Sequence, residues 1–164
     1  MEVIKKTTRD SVKEFILKRD QEGHKNPYEK AKEIERLPDS WFLVNLEKEE
    51  FFNLVFLQME KGWTDPISHP SRLLINAARE AFNVPLSNER FNNYRYKYSE
   101  MGGTIDEESA IILRRTKFYT NENEGKWYII DGNGRSLAYA MALLEGLNYD
   151  PVYAYLNDAF LAIK

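Results

Sequence analysis

The chain has 164 residues, of which 43% are hydrophobic and 30% charged, with a formal net charge of −3. That length suits one domain with a real core, and the mild negative charge argues against global attraction to nucleic acid, leaving a local basic patch as the route to it. There is no cysteine, which excludes disulfides and thiolate metal sites. No apolar run is long enough for a signal peptide or a membrane span, so a cytoplasmic protein without a membrane partner is expected.

Residues 11–20 predict a first helix, capped by Asp10 or Ser11, with Val12, Phe15 and Ile16 on one face. After Glu22-Gly23-His24-Lys25, Asn26 caps a second helix that has Pro27 at its first position and Tyr28, Ala31, Ile34 and Leu37 as its apolar stripe. The outer faces of both are strongly charged. Residues 1–40 are therefore expected to form a helical N-terminal extension packed on a core domain spanning 41–164. A partner-binding or DNA-facing appendage is the sharper alternative.

Trp41-Phe42-Leu43-Val44-Asn45-Leu46 predicts a strand. Residues 47–61 predict a helix stopped by Gly62, with Phe51, Leu54, Val55 and Met59 near one face and Phe52 and Phe56 widening it. Glu47, Glu49 and Glu50 suit the dipole at its start, a simpler explanation than a catalytic acid cluster. Residues 63–70 form a stiff loop with two prolines, in which His69 is a candidate for lining a pocket. Residues 71–82 predict a helix buried through Leu73, Leu74, Ala77, Ala78 and Ala81. Arg72 and Arg79, seven apart, share a face from which an anion could be reached. In the next helix, Arg90, Arg95 and Lys97 interleave with Tyr94, Tyr96 and Tyr98. This pattern suits single-stranded nucleic acid, although an amphipathic helix with packed tyrosines is the plainer reading.

Residues 110–119 and 126–131 read as a hairpin closed by the polar turn Asn121-Glu122-Asn123-Glu124-Gly125. Alternation puts Arg115 and Lys117 on one face of it. The hairpin leads into the stretch around which the chain is organised. Trp127-Tyr128-Ile129-Ile130 ends at Asp131, then Gly132-Asn133-Gly134-Arg135 turns into Ser136 and an Ala- and Leu-rich segment. The pattern is strand, tight turn, then a helix starting near Gly134 and stopping at Glu145-Gly146. Residues 151–156, led by Pro151, predict the next strand. The unit is β-loop-α-β, inside an α+β (or α/β) domain with a small mixed sheet and several helices.

The first amides of a helix lack partners inside it and carry partial positive charge. Gly132 and Gly134 allow close backbone approach, Asn133 offers a side-chain amide, Ser136 a hydroxyl, and Arg135 a planar fork that suits phosphate. A phosphate or nucleotide tail is the ligand this chemistry favours. Asp131 would either hold Mg²⁺ against phosphates or cap the helix. Arg115, Lys117 and His69 are candidate supporting residues. The bland alternative is that the glycines only make the turn and Arg135 pairs with a surface carboxylate.

Strand, Asp-Gly-x-x-Arg, small-residue helix and a Pro-led strand together resemble the core of the ParB/sulfiredoxin-like superfamily, with Gly132-Asn133-Gly134-Arg135 and Ser136-Leu137-Ala138 in the places of the box and its helix. The resemblance covers roughly residues 87–157. Residues 94–101, Gly102-Gly103 and Ala110-Ile111-Ile112-Leu113 fill the family's upstream helix, glycine and strand. It implies a nucleotide site at the box, with ATP or CTP and Mg²⁺ as the cofactors of such relatives, and nucleotide hydrolysis, phosphotransfer or nuclease activity as the chemistry. Sulfiredoxin chemistry is excluded by the lack of cysteine, and Gly134 stands where a His or Arg often occurs. Asp131-Gly132-Asn133-Gly134-Arg135 also resembles the centre of the Fic motif of AMP-transferring enzymes. Trp127 occupies the place of that motif's His, and the strand-like flanks depart from a helical Fic domain. A non-catalytic nucleic-acid-binding or protein-interaction module is the alternative from another class. No acidic residue is singled out by spacing as a catalytic base.

Overall fold

The structure is a computed structural model and describes residues 1–18, 27–57, 64–67, 71–92, 104–116 and 126–161. Its strands are β1 (Glu2–Thr7), β2 (Trp41–Leu46), β3 (Ile111–Arg115), β4 (Trp127–Asp131) and β5 (Val152–Asn157). Its helices are α1 (Arg9–Lys18), α2 (Pro27–Glu35), α3 (Lys48–Phe52), α4 (Leu74–Ala81) and α5 (Asn133–Leu144). The strands form one mixed sheet in the order β1-β2-β5-β3-β4. Only the β3–β5 pair is parallel. Since β4 and β5 flank β3, α5 must pass over β3 to join them.

Strict alternation in the strands divides the core in two. Phe42, Val44, Leu46, Ile111, Leu113, Ile129, Val152, Ala154 and Leu156 pack with residues of α3, α4 and α5. Trp41, Leu43, Ile112, Ile130 and Tyr155 pack with Val12 and Ile16 of α1 and Ala31 and Ile34 of α2. The sheet therefore lies between two helical layers. Both faces being covered explains why Trp41-Phe42-Leu43-Val44 is apolar without a break. Leu43, Ile111, Ile112, Leu113 and Ile129 are wholly buried, each such side chain stabilising by about 1.5–3 kcal/mol.

The expected β-loop-α-β unit is present at 127–157, and β3 pairs antiparallel with β4 as expected of a hairpin, whose polar turn 121–125 lies outside the described residues. Three local expectations change. Residues 2–7 are a strand that patterning did not reveal. Its burial is mostly exposed or intermediate, as befits an edge strand kept polar by Glu2, Lys5 and Lys6. The first stretch of the chain thus carries a strand of the sheet as well as α1 and α2. The helix read over 47–61 ends at Phe52. Val55 instead accepts from the Ile129 amide (3.1 Å) and donates to the Trp127 carbonyl (2.8 Å), so pairing with β4 overrides the helical spacing of Leu54, Val55 and Phe56. Leu73 pairs antiparallel with Val55 on the far side, which holds Ser71, Arg72 and Leu73 out of α4. Arg72 and Arg79 consequently do not share a helix face.

Candidate functional site

The joint between β4 and α5 is built from residues that hold one another. Gly132 is the N-cap of α5, with φ 96° and no side-chain cap. That left-handed backbone is open to glycine and strained for other residues. A Cβ at Gly132 would sit 2.5 Å from Cγ2 of Ile111 and 2.9 Å from a terminal guanidinium nitrogen of Arg135. The close approach expected of this glycine is therefore made to β3, the strand beside it, and to Arg135.

Arg135 points inward. It is 6% exposed, and its Nη2 donates to Oδ2 of Asp131 at 3.1 Å, four residues back at the end of β4. Asp131 is 8% exposed. The guanidinium expected to meet a ligand thus neutralises a buried carboxylate, and a metal role for Asp131 must compete with this pair. The Asn133 amide is likewise engaged within the protein. Its Oδ1 accepts from the Leu57 amide (2.9 Å) and its Nδ2 donates to the Ile129 carbonyl (3.2 Å). Asn133 therefore ties the segment after α3 to the joint, where a contact to ligand oxygen was expected.

Two polar atoms in the first turn of α5 are left over. Arg135 Nε and Ser136 Oγ are buried without a hydrogen-bond partner, a condition that ordinarily costs about 1–3 kcal/mol each. Within 131–136 only Gly134 is partly exposed. Two unpartnered buried polar atoms thus follow Gly134, a residue with no side chain, in the first turn of α5.

The supporting residues lie elsewhere. Arg115 donates from Nη1 to both oxygens of Asp158, at 2.9 and 2.8 Å. Trp127 adds its indole N–H (3.1 Å) and Phe160 its amide (3.0 Å) to the same carboxylate. Burial pushes the Asp158 carboxyl up, but these donors outweigh it and hold the group below its ordinary value of 3.8. Arg115 thus fastens residues 158–160 to the hairpin and does not extend the joint. His69 and Lys117 lie outside the described residues, as do Arg95, Lys97, Tyr94, Tyr96, Tyr98 and Gly102-Gly103. Among the described residues no group of three or more His, Cys, Asp or Glu side chains is gathered for a metal ion, and no helix is long and apolar enough to cross a membrane.

The sequence carries no helical signal for the inward turn of Arg135: Asp131 ends β4 and stands before Gly132, so the pair forms across the strand-to-helix joint and not along a helix.

No family model matches the chain, and no curated protein or solved structure matches it at a significant level.

Proposed function

We propose that the chain binds a phosphate-bearing ligand, a nucleotide in the first instance, at the start of α5. The observation that supports this reading is the pair of unpartnered buried donors, Arg135 Nε and Ser136 Oγ, in the first turn of a 12-residue helix whose N-cap supplies no side chain to its free amides. Helix amides and a hydroxyl are a phosphate-binding set. Arg135 serves it by position: pairing with Asp131 removes a negative charge that would repel the ligand. ATP and CTP, with and without Mg²⁺, are the ligands to try first, as the resemblance to the ParB/sulfiredoxin-like superfamily implies.

A thermal-shift panel of inorganic phosphate, ATP and CTP, with and without Mg²⁺, tests this. A ligand at about a hundred times its Kd stabilises by about 2.7 kcal/mol, on the order of 5–10 °C for a domain of this size. Gly134→Glu is the informative variant. It replaces a poor helix former and places a negative charge at a helix start, both favourable to the fold, while opposing an anion at the one open residue. Stabilisation that disappears in Gly134→Glu supports the proposal.

A second reading has its own observation. The Asp131–Arg135 pair, the two hydrogen bonds of Asn133 and the contact of Gly132 with Ile111 are all uses of the loop within the fold. They favour a purely structural joint in a nucleic-acid-binding or protein-interaction module. Absence of any shift across the panel, with a folded wild-type chain, selects this reading.

A further inference from the structure

On the sheet face opposite the Asp131–Arg135 pair, two arginines lie against the ring of Tyr128 of β4, and a lysine meets the same strand two residues on. Arg114, its cross-strand partner on β3, places its guanidinium carbon 4.8 Å from the ring centroid. Arg72, from the segment paired beyond Val55, places its own at 5.8 Å. Lys30 of α2 donates to the carbonyl of Ile130, two residues along β4, at 2.7 Å. The facing carboxylate is Glu33, loosely placed at 3.8 Å from Lys30 Nζ and 3.9 Å from Arg114 Nε. Among the described residues, three positive charges therefore meet one negative charge here, in a chain whose overall charge is −3.

The arrangement departs from an ordinary solvated surface in two ways. Arg72 Nε is buried and has no hydrogen-bond partner, so a donor is held out of water without an acceptor. The cations are also set by the fold: the 71–73 segment and β3 bring the two arginines to one ring, and α2 brings Lys30 to the Ile130 carbonyl on the same strand. Cation–π contact fixes where the arginines lie but leaves guanidinium N–H groups able to meet oxygen. Burial pushes the Tyr128 hydroxyl up, Arg72 acting against it by its charge and a hydrogen bond; the phenol therefore stays neutral and adds no negative charge to the patch.

We infer that Arg72, Arg114 and Lys30 around Tyr128 form an anion site for a phosphate group, separate from the α5 joint. Planar guanidiniums suit phosphate oxygens better than a lone lysine does. The phosphate can belong to a free phosphorylated compound or to the backbone of a single-stranded oligonucleotide. These sources share their chemistry here and differ in how many charges bind together.

The test is isothermal titration of the full chain with pyrophosphate and, separately, with a twelve-nucleotide single strand, each at two salt concentrations. Arg72→Gln/Arg114→Gln is expected to weaken binding at least tenfold. Glu33→Gln, which removes the facing carboxylate, is expected to tighten it two- to fivefold. A gain of that kind cannot arise from misfolding. Gly134→Glu leaves it unchanged, which separates this site from the joint at α5. Pyrophosphate binding with little oligonucleotide binding identifies a free phosphorylated ligand; oligonucleotide binding with the steeper salt dependence identifies the nucleic-acid backbone. The inference is overturned if neither ligand binds the folded wild-type chain, or if Glu33→Gln and the double arginine variant both bind as wild type does.

Discussion

Strand β4 presents charge on both of its faces, and the two sides treat it differently. On one, Asp131 and Arg135 are both buried and meet each other at 3.1 Å. On the other, Arg72 and Arg114 lie against Tyr128 and Lys30 meets the Ile130 carbonyl, with Glu33 close to 4 Å from Arg114 and Lys30. Balanced buried charge holds a fold in one arrangement, because removing either partner strands the other in a medium that solvates it poorly. Unbalanced charge near solvent adds little to the fold and creates a field for a ligand. The lesson is that an arginine's position in a motif does not decide its role. Arg135 sits in the box and secures the joint, whereas Arg114 and Arg72 lie outside it and remain able to bind.

The comparison can be broken most directly at Arg135. Arg135→Ala removes the guanidinium from the buried carboxylate of Asp131, and a loss of about 3–5 kcal/mol is expected in urea unfolding. Asp131→Asn combined with Arg135→Gln should recover part of that loss, since neither charge remains. An Arg135→Ala chain as stable as wild type would remove the structural role given to the pair. The next largest effect is at Gly132. Alanine there must adopt φ 96° and place its Cβ 2.5 Å from Cγ2 of Ile111. Strain and overpacking together are expected to cost about 2–4 kcal/mol. Gly146 has a similar φ of 103° but nothing within 4 Å of a Cβ. Gly146→Ala therefore isolates the backbone part of the penalty, and should cost about 1–2 kcal/mol.

How much of this was legible in the sequence depended on range. The unit from Trp127 to Asn157 is written in local chemistry: a β-branched and aromatic run, glycines at the turn, an Ala- and Leu-rich helix, and a proline before the last strand. Each signal acts within a few residues, so the architecture could be read there. Residues 53–57 could not, because their conformation is settled by Trp127 and Ile129, more than seventy positions away, whose backbone groups capture Val55. Phe51, Leu54 and Val55 have helical spacing, and tertiary pairing overrode it. β1 was hidden for another reason: an edge strand with charged residues lacks the apolar alternation that marks a strand. In the candidate site, glycine's need for positive φ was legible at Gly132, and its neighbour Ile111 was not. The chemistry of Asn133 was legible, but its partner Leu57, 76 residues earlier, comes from the fold. The patch at Tyr128 was beyond sequence reasoning altogether, since Lys30, Arg72 and Arg114 are brought together only by the order of the strands and the layering of α2.

A third region sharpens the contrast between paired and unpaired charge. Arg115 is adjacent to Arg114 and, by alternation, faces the other way. It binds Asp158, which is 1% exposed, together with Trp127 and the Phe160 amide. Because these donors hold the Asp158 carboxyl below its ordinary value, the folded state binds fewer protons than the unfolded state in acid. The stabilisation is present above the ordinary value of 3.8 and is lost as pH falls through the depressed folded value. Urea unfolding at stepped pH should show wild-type stability falling in that acid range. Asp158→Asn should show a flatter acid limb and lower stability near neutrality. Equal acid limbs in the two chains would mean that the carboxylate is not held in this way.

The smallest effect on stability is the one that tests the unbalanced side. Arg114 is 22% exposed through its side chain and has Glu33 at 3.9 Å, a distance at which such a pair contributes little. Its contact with the Tyr128 ring is worth about 0.5–1 kcal/mol, so Arg114→Gln should lower the stability of the ligand-free chain by no more than about 1 kcal/mol. The neighbouring Arg115→Gln strands the buried carboxylate of Asp158 and should cost several times as much. Two adjacent arginines would then differ by environment alone: one paired beneath the hairpin, the other set on a ring beside solvent. Were Arg114→Gln as damaging as Arg115→Gln, the cations round Tyr128 would be part of the scaffold, and the distinction between the two sides of β4 would fail.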